Sequence, residues 1–403
     1  MRPFTVKSRR MRSPSDVKSL SEKMGGARLK VLHVGKFYPP HFGGMESHLQ
    51  TLCEELSKSI EVEVLVASDH RRSERSTQGG VEVARLATVL MLHGTPIVPL
   101  MARAMRLARP DIVHLHFPNP MAALACLMSR LDVPIVITWH SDVVRQRRAA
   151  AIFAPLLSLL LRRCAAIIVG STAYIETSAT LSARRRLCRV IPFGIRAGDF
   201  EHPDAARVAE LRRRHGERIV LGVGRLIYYK GFENLVRAMA DVRATALVAG
   251  EGPLEGALAA EAARLGVADR VVLPGRVNDA DLKACYHACD VFALPSVERS
   301  EAFGIVQLEA MACGKPVVNT WIDSAVPHVS LDGVTGLTVA PGDPAALAAA
   351  LNALLDDPAR RAAMGAAGRQ RVREEFSAEL MARRTLEVYR EVVSGAVRAR
   401  GAK

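Results

Sequence analysis

The sequence lacks the patterns of a disulfide-stapled or membrane-spanning protein. Its 403 residues include seven cysteines, an odd number without a C-x-x-C pair, which makes a poor disulfide framework. No apolar run reaches the roughly 18–20 residues that a transmembrane helix needs. The basic and polar residues 1–28 contain no apolar segment of the signal-peptide type. We therefore expect a cytoplasmic protein with a disordered basic tail at residues 1–28.

Several cofactor and nucleic-acid signatures are missing as well. The G-x-G-x-x-G fingerprint of dinucleotide-binding folds is absent, which disfavours an NAD-dependent dehydrogenase. Aromatic residues make up only 5% of the chain, and no nucleic-acid recognition motif accompanies the basic residues. Lys230, Lys283 and Lys315 are the lysines of the second half before Lys403, and none has the context of a pyridoxal-phosphate lysine. We therefore expect no cofactor, no metal site and no nucleic-acid partner.

Positive charge is abundant but unevenly distributed. The net charge is +14, and residues 1–198 carry 29 lysines and arginines against 14 aspartates and glutamates, whereas residues 199–403 carry 26 against 27. A basic half predicts an anionic partner. An anionic membrane surface, or a substrate with a lipid diphosphate, fits this half better than nucleic acid. Peripheral attachment to the inner face of the plasma membrane is therefore a candidate, with solvated surface arginines as the alternative.

Segments rich in β-formers alternate with helical patterns almost throughout, which predicts parallel sheets with helices on both faces. The alternation begins at Lys30–Gly35, breaks at the prolines and glycines of residues 192–204, and restarts at Ile219–Val223. Two doubly wound, Rossmann-like α/β domains are predicted, at residues 29–197 and 198–377, followed by a helix at residues 378–403. Facing carboxyl edges of two such sheets would form a ligand cleft.

Two cations follow the first strand of the second predicted domain. Arg225 and Lys230 lie on one loop, G-R-L-I-Y-Y-K-G, between the strand Ile219–Val223 and a helix predicted at Phe232–Ala240. Cations at this spacing can reach both phosphates of a diphosphate, where negative charge grows as a nucleoside diphosphate departs. The alternative is a surface loop with two solvated charges.

A second motif, E-A-F-G-I-V-Q-L-E, places Glu301 and Glu309 on either side of a predicted helix start. Carboxylates can grip hydroxyl groups, and the free N–H groups of a helix N-terminus suit phosphate. We expect Glu309 to hold ribose hydroxyls and Glu301 to hold those of a sugar. The backbone of Phe303, Gly304 and Ile305 is expected to face phosphate. With the cations, this motif predicts a ligand that joins a sugar to a diphosphate.

Three weaker segments are candidates for the same ligand. Gly43 and Gly44 open a predicted helix after the first strand, where flexible amides could reach a phosphate or an acceptor, although a plain turn is the alternative. Gly252, in G-E-G-P, is expected to line the nucleotide pocket. Arg276 and Val277 follow the next strand and are expected to meet the base through their backbone.

His140 and Asp142 are the catalytic candidates of the first predicted domain. Both follow the strand Pro134–Trp139 in T-W-H-S-D, so they should point into the cleft opposite Glu301. His114 and His116 alternate in a buried strand, and we expect them to belong to the core.

Taken together, these motifs resemble the retaining family-4 glycosyltransferases of the GT-B fold, over nearly the whole chain. The resemblance implies a first domain that binds acceptor, a second that binds nucleotide sugar, and a final helix that crosses back to the first. It implies that Arg225 and Lys230 bind the donor diphosphate, Glu309 the ribose and Glu301 the transferred sugar, with His140 beside that sugar. The segments H-V-G-K-F-Y-P-P-H-F-G-G-M-E and N-T-W-I-D-S-A-V-P-H-V look closest to bacterial mannosyl- or rhamnosyltransferases of surface polysaccharide assembly. A GDP sugar is therefore the expected donor, and a lipid-linked or growing glycan the expected acceptor. Enzymes of this kind usually need no metal.

The expected chemistry is transfer with retention of the anomeric configuration. No carboxylate stands out as a covalent nucleophile, so the acceptor would attack the face that the diphosphate leaves, and the departing phosphate would take its proton. Asp142 as base or orienting group is the alternative. A nucleotide-sugar epimerase, a phosphorylase and a non-catalytic scaffold on the same fold remain rival functions. The chain has P-F-G-I-R at residues 192–196, where many relatives have P-N-G-V-D, which leaves the linker contacts open.

Overall fold

The computed structural model describes residues 28–41, 43–92, 94–142 and 147–401. Apart from Arg28, the tail expected at residues 1–28 lies outside them. Two sheets of mainly parallel strands, each covered by helices on both faces, dominate the described chain. The prediction of two doubly wound α/β units is confirmed. Among the described helices, none combines the length and the apolar character needed to cross a bilayer.

The first sheet lies within residues 30–190. Eight strands form it in the order β10-β9-β8-β7-β1-β2-β4-β3, with β3 antiparallel to β4 and the other neighbours parallel, while β5 and β6 form a separate antiparallel hairpin. The strands are β1 (Lys30–Val34), β2 (Glu61–Ala67), β3 (Glu74–Gln78), β4 (Val81–Leu86), β5 (Leu90–Leu92), β6 (Thr95–Ile97), β7 (Ile112–Phe117), β8 (Ile135–Trp139), β9 (Cys164–Val169) and β10 (Cys188–Val190). The helices are α1 (Gly44–Ser57), α2 (Met101–Ala108), α3 (Pro120–Ser129), α4 (Arg147–Arg163), α5 (Thr172–Thr177) and α6 (Ala179–Ser182).

The second sheet lies within residues 219–339 and is parallel throughout, in the order β13-β12-β11-β14-β15-β16. Its strands are β11 (Ile219–Val223), β12 (Thr245–Ala249), β13 (Val271–Val272), β14 (Val291–Ala293), β15 (Val317–Thr320) and β16 (Gly336–Val339). The helices around it are α7 (Ala205–His215), α8 (Phe232–Ala238), α9 (Glu255–Arg264), α10 (Asp279–Ala288), α11 (Ile305–Ala312), α12 (Val326–Val329), α13 (Pro344–Leu355) and α14 (Pro358–Glu375).

Each sheet has a core on both of its faces, because successive side chains of a strand point to opposite sides. On β1, Leu32 and Val34 pack with α2 and α3, whereas Val31 packs with α1 and with the final helix, α15 (Ala378–Gly401). Full burial of each such side chain contributes roughly 1.5–3 kcal/mol. The face under α1 and α15 is unusual, since it also receives His33 and other buried histidines.

The final helix returns to the first sheet, as the resemblance implied. The chain crosses between the two units twice, and the crossings lie side by side: Ile195 N–H donates to Phe376 O at 2.9 Å, and Ala378 N–H donates to Ile195 O at 2.9 Å. From there α15 packs along α1 and β9. It runs from Ala378 to Gly401.

Two features of the first unit are not evident from the sequence pattern. β3 is a polar, mostly exposed edge strand, so it lacks the apolar alternation by which a strand is recognised. The β5–β6 hairpin carries exposed apolar side chains on strands of three residues each, which is too short to show a period.

Candidate active site

The functional loops lie where the strand order of each sheet reverses. β1 has β2 on one side and β7 on the other, and β11 lies between β12 and β14. Helices leave such neighbouring strands to opposite faces, so a crevice opens at their carboxyl ends. The loop with Arg225 and Lys230 follows β11, and the loop with Glu301 follows β14. The adjacency of these two strands brings the two predicted motifs together.

Lys230 and Glu301 meet as a buried ion pair. The Lys230 Nζ lies 2.5 Å from Glu301 Oε2, and both side chains are about one-tenth exposed. Burial alone would lower the pKa of the Lys230 ammonium, but the attraction of the Glu301 carboxylate raises it overall. Gly231 directly follows with a positive φ of 65°, and a side chain there would overlap the carbonyl oxygen of Pro295. This glycine lets the two loops close on each other and fixes the pair.

A second group of charges, partly missed by the sequence reasoning, lies next to Arg225. Lys36 follows β1 as Arg225 follows β11, so the two cations occupy equivalent positions at the facing edges of the two sheets. Burial lowers the pKa of Lys36, and nearby Arg225 lowers it further against the attraction of Glu46. Burial likewise raises the pKa of Glu46 in the first turn of α1. The position of Lys36 after a central strand was the signal that could have identified it.

Glu309 is held by a tyrosine that the sequence did not single out. The hydroxyl of Tyr286, fully buried in α10, donates to Glu309 Oε2 at 2.6 Å. Burial raises the pKa of Glu309, against the hydrogen bond from Tyr286. Glu309 lies in α11, whose first turn begins at Ile305 after Gly304. In this turn Gln307 N–H donates to Gly304 O at 2.9 Å, whereas the N–H groups of Ile305 and Val306 before it have no intrahelical acceptor.

The weaker candidates have distinct surroundings. Gly304 caps α11 with a φ of 70°, and the ring of Phe303 packs on Phe193 at 4.9 Å between centroids, so Phe303 offers its backbone rather than its ring. Gly252 lies against the backbone of Leu226, where a Cβ would overlap the Leu226 carbonyl. A structural reason therefore suffices for this glycine.

The remaining candidates border the opening between the two units. A side chain at Gly44 would meet nothing within 4 Å, so the space before the start of α1 is open. Gly43 has extended backbone and precedes that start. Arg276 reaches Pro40 O of the first unit at 3.5 Å, and Val277 packs partly buried on the core of the second. Their predicted contacts with the nucleotide base stay predictions.

His140 is the end of a line of buried histidines. His140 Nε2 lies 3.0 Å from His116 Nδ1, and His116 Nε2 lies 3.1 Å from His33 Nδ1. Burial lowers the pKa of His140 well below its ordinary value, so the ring is neutral. His114 and His116 are buried within β7, in agreement with the core position expected for them.

Asp142 ties the two units together. Its Oδ1 accepts from Trp139 Nε1 at 2.9 Å and from Ser178 Oγ at 3.0 Å, and its Oδ2 accepts from Arg299 Nη2 at 2.7 Å. Arg299 belongs to the loop before α11, so this ion pair crosses the cleft. Because both oxygens are engaged, the geometry suits an orienting group better than a base.

The cavity that His140 borders is small. It is lined by Trp139, Tyr174 and Phe193 of the first unit and by Ala302 and Phe303 of the second, and its volume is about 10 Å³. This is roughly the space of one water molecule. A ligand larger than a water molecule does not fit this cavity as it stands.

Two overlapping histidine trios could hold a metal ion by composition. His33, His114 and His116, and likewise His48, His116 and His140, each have one ring nitrogen within 4.8 Å of the others. Imidazole nitrogen is a common ligand of zinc. Seven of the ten ring nitrogens are hydrogen-bonded to another histidine, to Tyr389 or to Thr138, whereas both nitrogens of buried His48 lack a partner among the described residues.

Two family models match the chain in succession. The model described as Glycosyltransferase Family 4 matches residues 42–198, and the model described as Glycosyl transferases group 1 matches residues 205–371. Their boundary coincides with the first crossing between the sheets.

Curated relatives match over most of their lengths. The D-rhamnosyltransferase WbpZ of Pseudomonas aeruginosa is 34% identical, over 87% of this chain and 93% of its own. The O-antigen chain mannosyltransferase C of Escherichia coli is 31% identical, over 88% of this chain and 96% of its own. A GDP-mannose-dependent phosphatidylinositol monomannoside mannosyltransferase of Mycolicibacterium smegmatis is 32% identical, over 84% and 92%. These relatives confirm the resemblance to surface-polysaccharide mannosyl- and rhamnosyltransferases.

Solved structures confirm the fold. Anabaena HepE, crystallised with UDP and glucose, superposes with a TM-score of 0.76 at 22% identity, over 90% of this chain and 100% of its own. The two-sheet architecture with a facing cleft is thus that of the GT-B class.

Proposed function

The chain belongs to the family-4 and group 1 glycosyltransferases, and on this premise we propose that it is a retaining, metal-independent hexosyltransferase. The proposed donor is a GDP-linked mannose or rhamnose, and the proposed acceptor is a lipid-linked or growing polysaccharide. One observation carries the proposal: the buried contact of Lys230 with Glu301 at the switch point of the second sheet. It puts a cation for phosphate beside a carboxylate for hydroxyls, as the junction of a sugar with a diphosphate requires.

The surroundings of this pair support the binding of a whole nucleotide sugar. Arg225 and Lys36 supply further positive charge at the facing edges, which would stabilise the charge that develops on a departing diphosphate. The first turn of α11 offers free N–H groups to phosphate. Glu309, oriented by Tyr286, lies four residues inside that helix, where it would accept from ribose hydroxyls.

The ion pairs of the carboxylates Glu301 and Asp142 support retention of the anomeric configuration. Glu301 is bound to Lys230 and Asp142 is bound to Arg299, so neither is free to act as a covalent nucleophile. We therefore propose attack on the face from which the diphosphate departs, with a departing phosphate oxygen accepting the acceptor proton. His140 would border the transferred sugar. Neither step assigns chemistry to a metal ion.

The relatives support the donor assignment, because they include mannosyl- and rhamnosyltransferases and a GDP-mannose-dependent enzyme. It is tested by thermal stabilisation with GDP, UDP, ADP and TDP sugars. A ligand at a hundred times its Kd should add roughly 2.7 kcal/mol to the free energy of unfolding. We expect the GDP sugar to stabilise the wild type, Glu309→Gln to lose this effect, and the exposed-residue control Glu387→Gln to keep it.

Different outcomes test the donor, the transferase activity and retention separately. Stabilisation by a UDP sugar alone would overturn the donor but leave a transferase. No stabilisation of the folded protein by any nucleotide sugar would favour a non-catalytic scaffold. Sugar-nucleotide conversion without an acceptor would identify an epimerase. The anomeric configuration of the product, read from its NMR coupling constants, tests retention separately.

We further propose that the first unit binds an anionic membrane surface. Apolar side chains about half exposed or more cluster on elements that pack together there, the β5–β6 hairpin, α2, α3 and α4, and exposed arginines flank them. Apolar and basic groups together match the interior and the headgroups of an anionic leaflet. We call this set the apolar–basic surface: Leu90, Met91, Leu92, Leu107, Met128 and Leu159 with Arg103, Arg106, Arg130 and Arg162.

Flotation with vesicles tests this proposal. We expect binding to phosphatidylglycerol vesicles at low salt, weaker binding at raised salt because exposed charges are screened, and little binding to phosphatidylcholine. Replacement of Leu90 and Met91 by serine should weaken binding, whereas Val334→Ser, an equally exposed apolar residue of the second unit, should not. Absence of binding at low salt would overturn it.

A further inference from the structure

Four of the five buried histidines form, with Tyr389 and Thr138, one continuous hydrogen-bonded chain that reaches from the returning helix to the cleft. Tyr389 Oη, on α15, lies 3.1 Å from His33 Nε2 and 2.6 Å from His114 Nδ1. From His33 the chain continues through His116 to His140 Nε2, at 3.1 and 3.0 Å. At the opposite end, His114 Nε2 lies 2.7 Å from Thr138 Oγ1. Five hydrogen bonds thus join six side chains.

The parallel register of the strands creates this arrangement. His33 on β1 is paired with His114 on β7, and His116, two residues further, is paired with Thr138 on β8. All four side chains therefore point to the same face of the sheet, under α1 and α15. Tyr389 is fully buried against that face and links His33 with His114.

A proton count fixes the direction of the five bonds. A neutral imidazole donates with one nitrogen and accepts with the other, and a hydroxyl donates one proton. Each group in the chain that accepts a hydrogen bond from one neighbour therefore donates one to the other neighbour, so all five bonds run in the same direction. The Thr138 hydroxyl is fully buried, and among the described residues its one recorded partner is His114. An unpaired buried donor is costly, so Thr138 donates to His114 Nε2.

The remaining bonds follow from this start. His114 Nδ1–H donates to Tyr389, the Tyr389 hydroxyl donates to His33 Nε2, and His33 Nδ1–H donates to His116 Nε2. His116 Nδ1–H then donates to His140 Nε2. His140 must carry its own proton on Nδ1, the ring nitrogen that the chain leaves unused. A chain in the reverse direction would put that proton on Nε2 and leave the Thr138 hydroxyl without an acceptor.

We propose that Tyr389 is a positioning residue of the active site, which holds His140 as the Nδ1–H tautomer through the chain of His33 and His116. The tautomer decides what His140 offers to the cleft: a donor from Nδ1 for an acceptor atom such as a sugar or phosphate oxygen. Only this last consequence, the effect on catalysis, rests on the proposed glycosyltransferase function. The tautomer itself is a property of the protein without any ligand.

The surroundings of the chain keep it neutral, as the proton count requires. Burial lowers the pKa of His33 to about 3 and those of His114 and His116 well below the ordinary value. His140 is packed between the rings of Phe193, at 5.2 Å, and His48, at 4.8 Å between centroids. These contacts hold the His140 ring in place. The hydrogen bond at Nε2 therefore decides which ring nitrogen carries the proton, not where the ring lies.

Long-range ¹⁵N–¹H correlation NMR of histidine-labelled protein reads the tautomer directly. In the wild type we expect His140 Nδ1 to be protonated and Nε2 bare. Tyr389→Phe removes one hydroxyl and splits the chain, so both directions become available to His33, His116 and His140, and a mixture of tautomers is expected. Tyr38→Phe is the matched control, because Tyr38 is equally buried and its hydroxyl has no partner among the described residues.

A second variant tests the direction at its origin. Thr138→Val keeps the shape of the side chain but removes the donor that starts the chain, so it should also release the His140 tautomer. This variant leaves Tyr389 in place and thus remains informative if Tyr389→Phe does not fold. Nε2–H on His140 in the wild type, or an unchanged His140 tautomer in both variants, would overturn the inference.

Kinetics test the consequence for catalysis. We expect Tyr389→Phe and Thr138→Val to lower kcat by about tenfold, which corresponds to roughly 1.4 kcal/mol, with little change in the KM for the donor, and Tyr38→Phe to leave both unchanged. An unchanged kcat despite a shifted tautomer would show that the His140 tautomer does not affect catalysis, and would refute the positioning role of Tyr389. If the tautomer shifts but no glycosyl transfer is found in any variant or in the wild type, the proposed function fails and the tautomer assignment stands.

Discussion

Five neutral histidines buried in one core should make the first unit sensitive to mild acid. His33, His48, His114, His116 and His140 are all buried. Burial lowers the pKa of His33 and of His48 to about 3 from an ordinary value of 6.5, and lowers the other three well below it. Between pH 6.5 and about 3 the unfolded chain therefore binds more protons than the folded protein, so acidification favours unfolding.

The magnitude follows from proton linkage. Each histidine that is neutral when folded and free to protonate when unfolded lowers the free energy of unfolding by roughly 1.3 kcal/mol between pH 7.5 and pH 5.5. Five such residues together lower it by about 6–7 kcal/mol, against a usual domain stability of about 5–15 kcal/mol. This part of the free energy of unfolding is fully present well above pH 6.5, where the histidines are neutral in both states. It is lost progressively as the pH falls below 6.5.

His48 allows the contribution of one histidine to be measured. Its two ring nitrogens have no hydrogen-bond partner among the described residues, and its ring packs on Phe193 at 4.3 Å. His48→Leu therefore removes a titrating group without breaking a recorded hydrogen bond, and should change the stability at pH 7.5 by no more than about 1 kcal/mol. At pH 5.5 the variant should have lost roughly 1.3 kcal/mol less than the wild type.

Urea unfolding followed by tryptophan fluorescence provides the assay. The chain has two tryptophans: Trp139 is buried in the first unit, and Trp321 is half exposed in the second. A Trp321→Phe background makes Trp139 the reporter of the first unit. His202→Leu, at an exposed histidine of the second unit, is the control and should follow the wild type. Equal losses from pH 7.5 to pH 5.5 in wild type and His48→Leu would refute the reasoning.

Three further outcomes are expected. Lys230→Met should destabilise the second unit by about 3–5 kcal/mol, because Glu301 is left as a buried charge without its partner. The double variant with Glu301→Gln should recover part of this loss. Urea unfolding measures both variants, and equal stability of the single and the double variant would contradict the prediction. Arg299→Ala should open the cleft, because it removes the ion pair with Asp142. Small-angle X-ray scattering would detect the opening as a larger radius of gyration. Arg373→Ala, which removes an exposed ion pair with Glu201, is the control. Incubation with EDTA should leave the transfer rate unchanged, and a loss that zinc restores would instead assign a metal to the histidine cluster.

The fold and the centre of the site were within reach of the sequence because each depends on a local pattern. Alternating strands and helices predict doubly wound sheets, and residues after a strand predict the binding edge. Arg225, Lys230 and Glu301 could be placed at that edge for this reason. Their actual contact required the strand order, since Lys230 meets Glu301 through the adjacency of β11 and β14, and local pattern does not state which strands are neighbours.

The missed residues depend on contacts between distant parts of the chain. Tyr389 bonds to His33 across 356 positions, and Arg299 bonds to Asp142 across 157. Neither a single buried histidine nor a partly buried arginine has a local sequence pattern that identifies its partner. His114 and His116 were correctly expected in the core, but the polar chain they form depends on the register of β1, β7 and β8 and on the return of α15.

The path of the backbone divides the candidate site residues between the two units. His140 and the chain that orients it, including Tyr389 on α15, all pack in the first unit, although α15 comes after the second unit in sequence. Lys230, Glu301 and Glu309 belong to the second. The two crossings meet at Gly194, where a Cβ would overlap the carbonyl oxygen of Ser377. We expect a rotation about these crossings to preserve both groups, because the hydrogen bond of His140 to His116 and the Lys230–Glu301 contact each lie within one unit. If His140 borders a sugar as proposed, the cleft must open to admit it, and we expect this opening to leave the contacts within each unit intact until closure brings the two groups together.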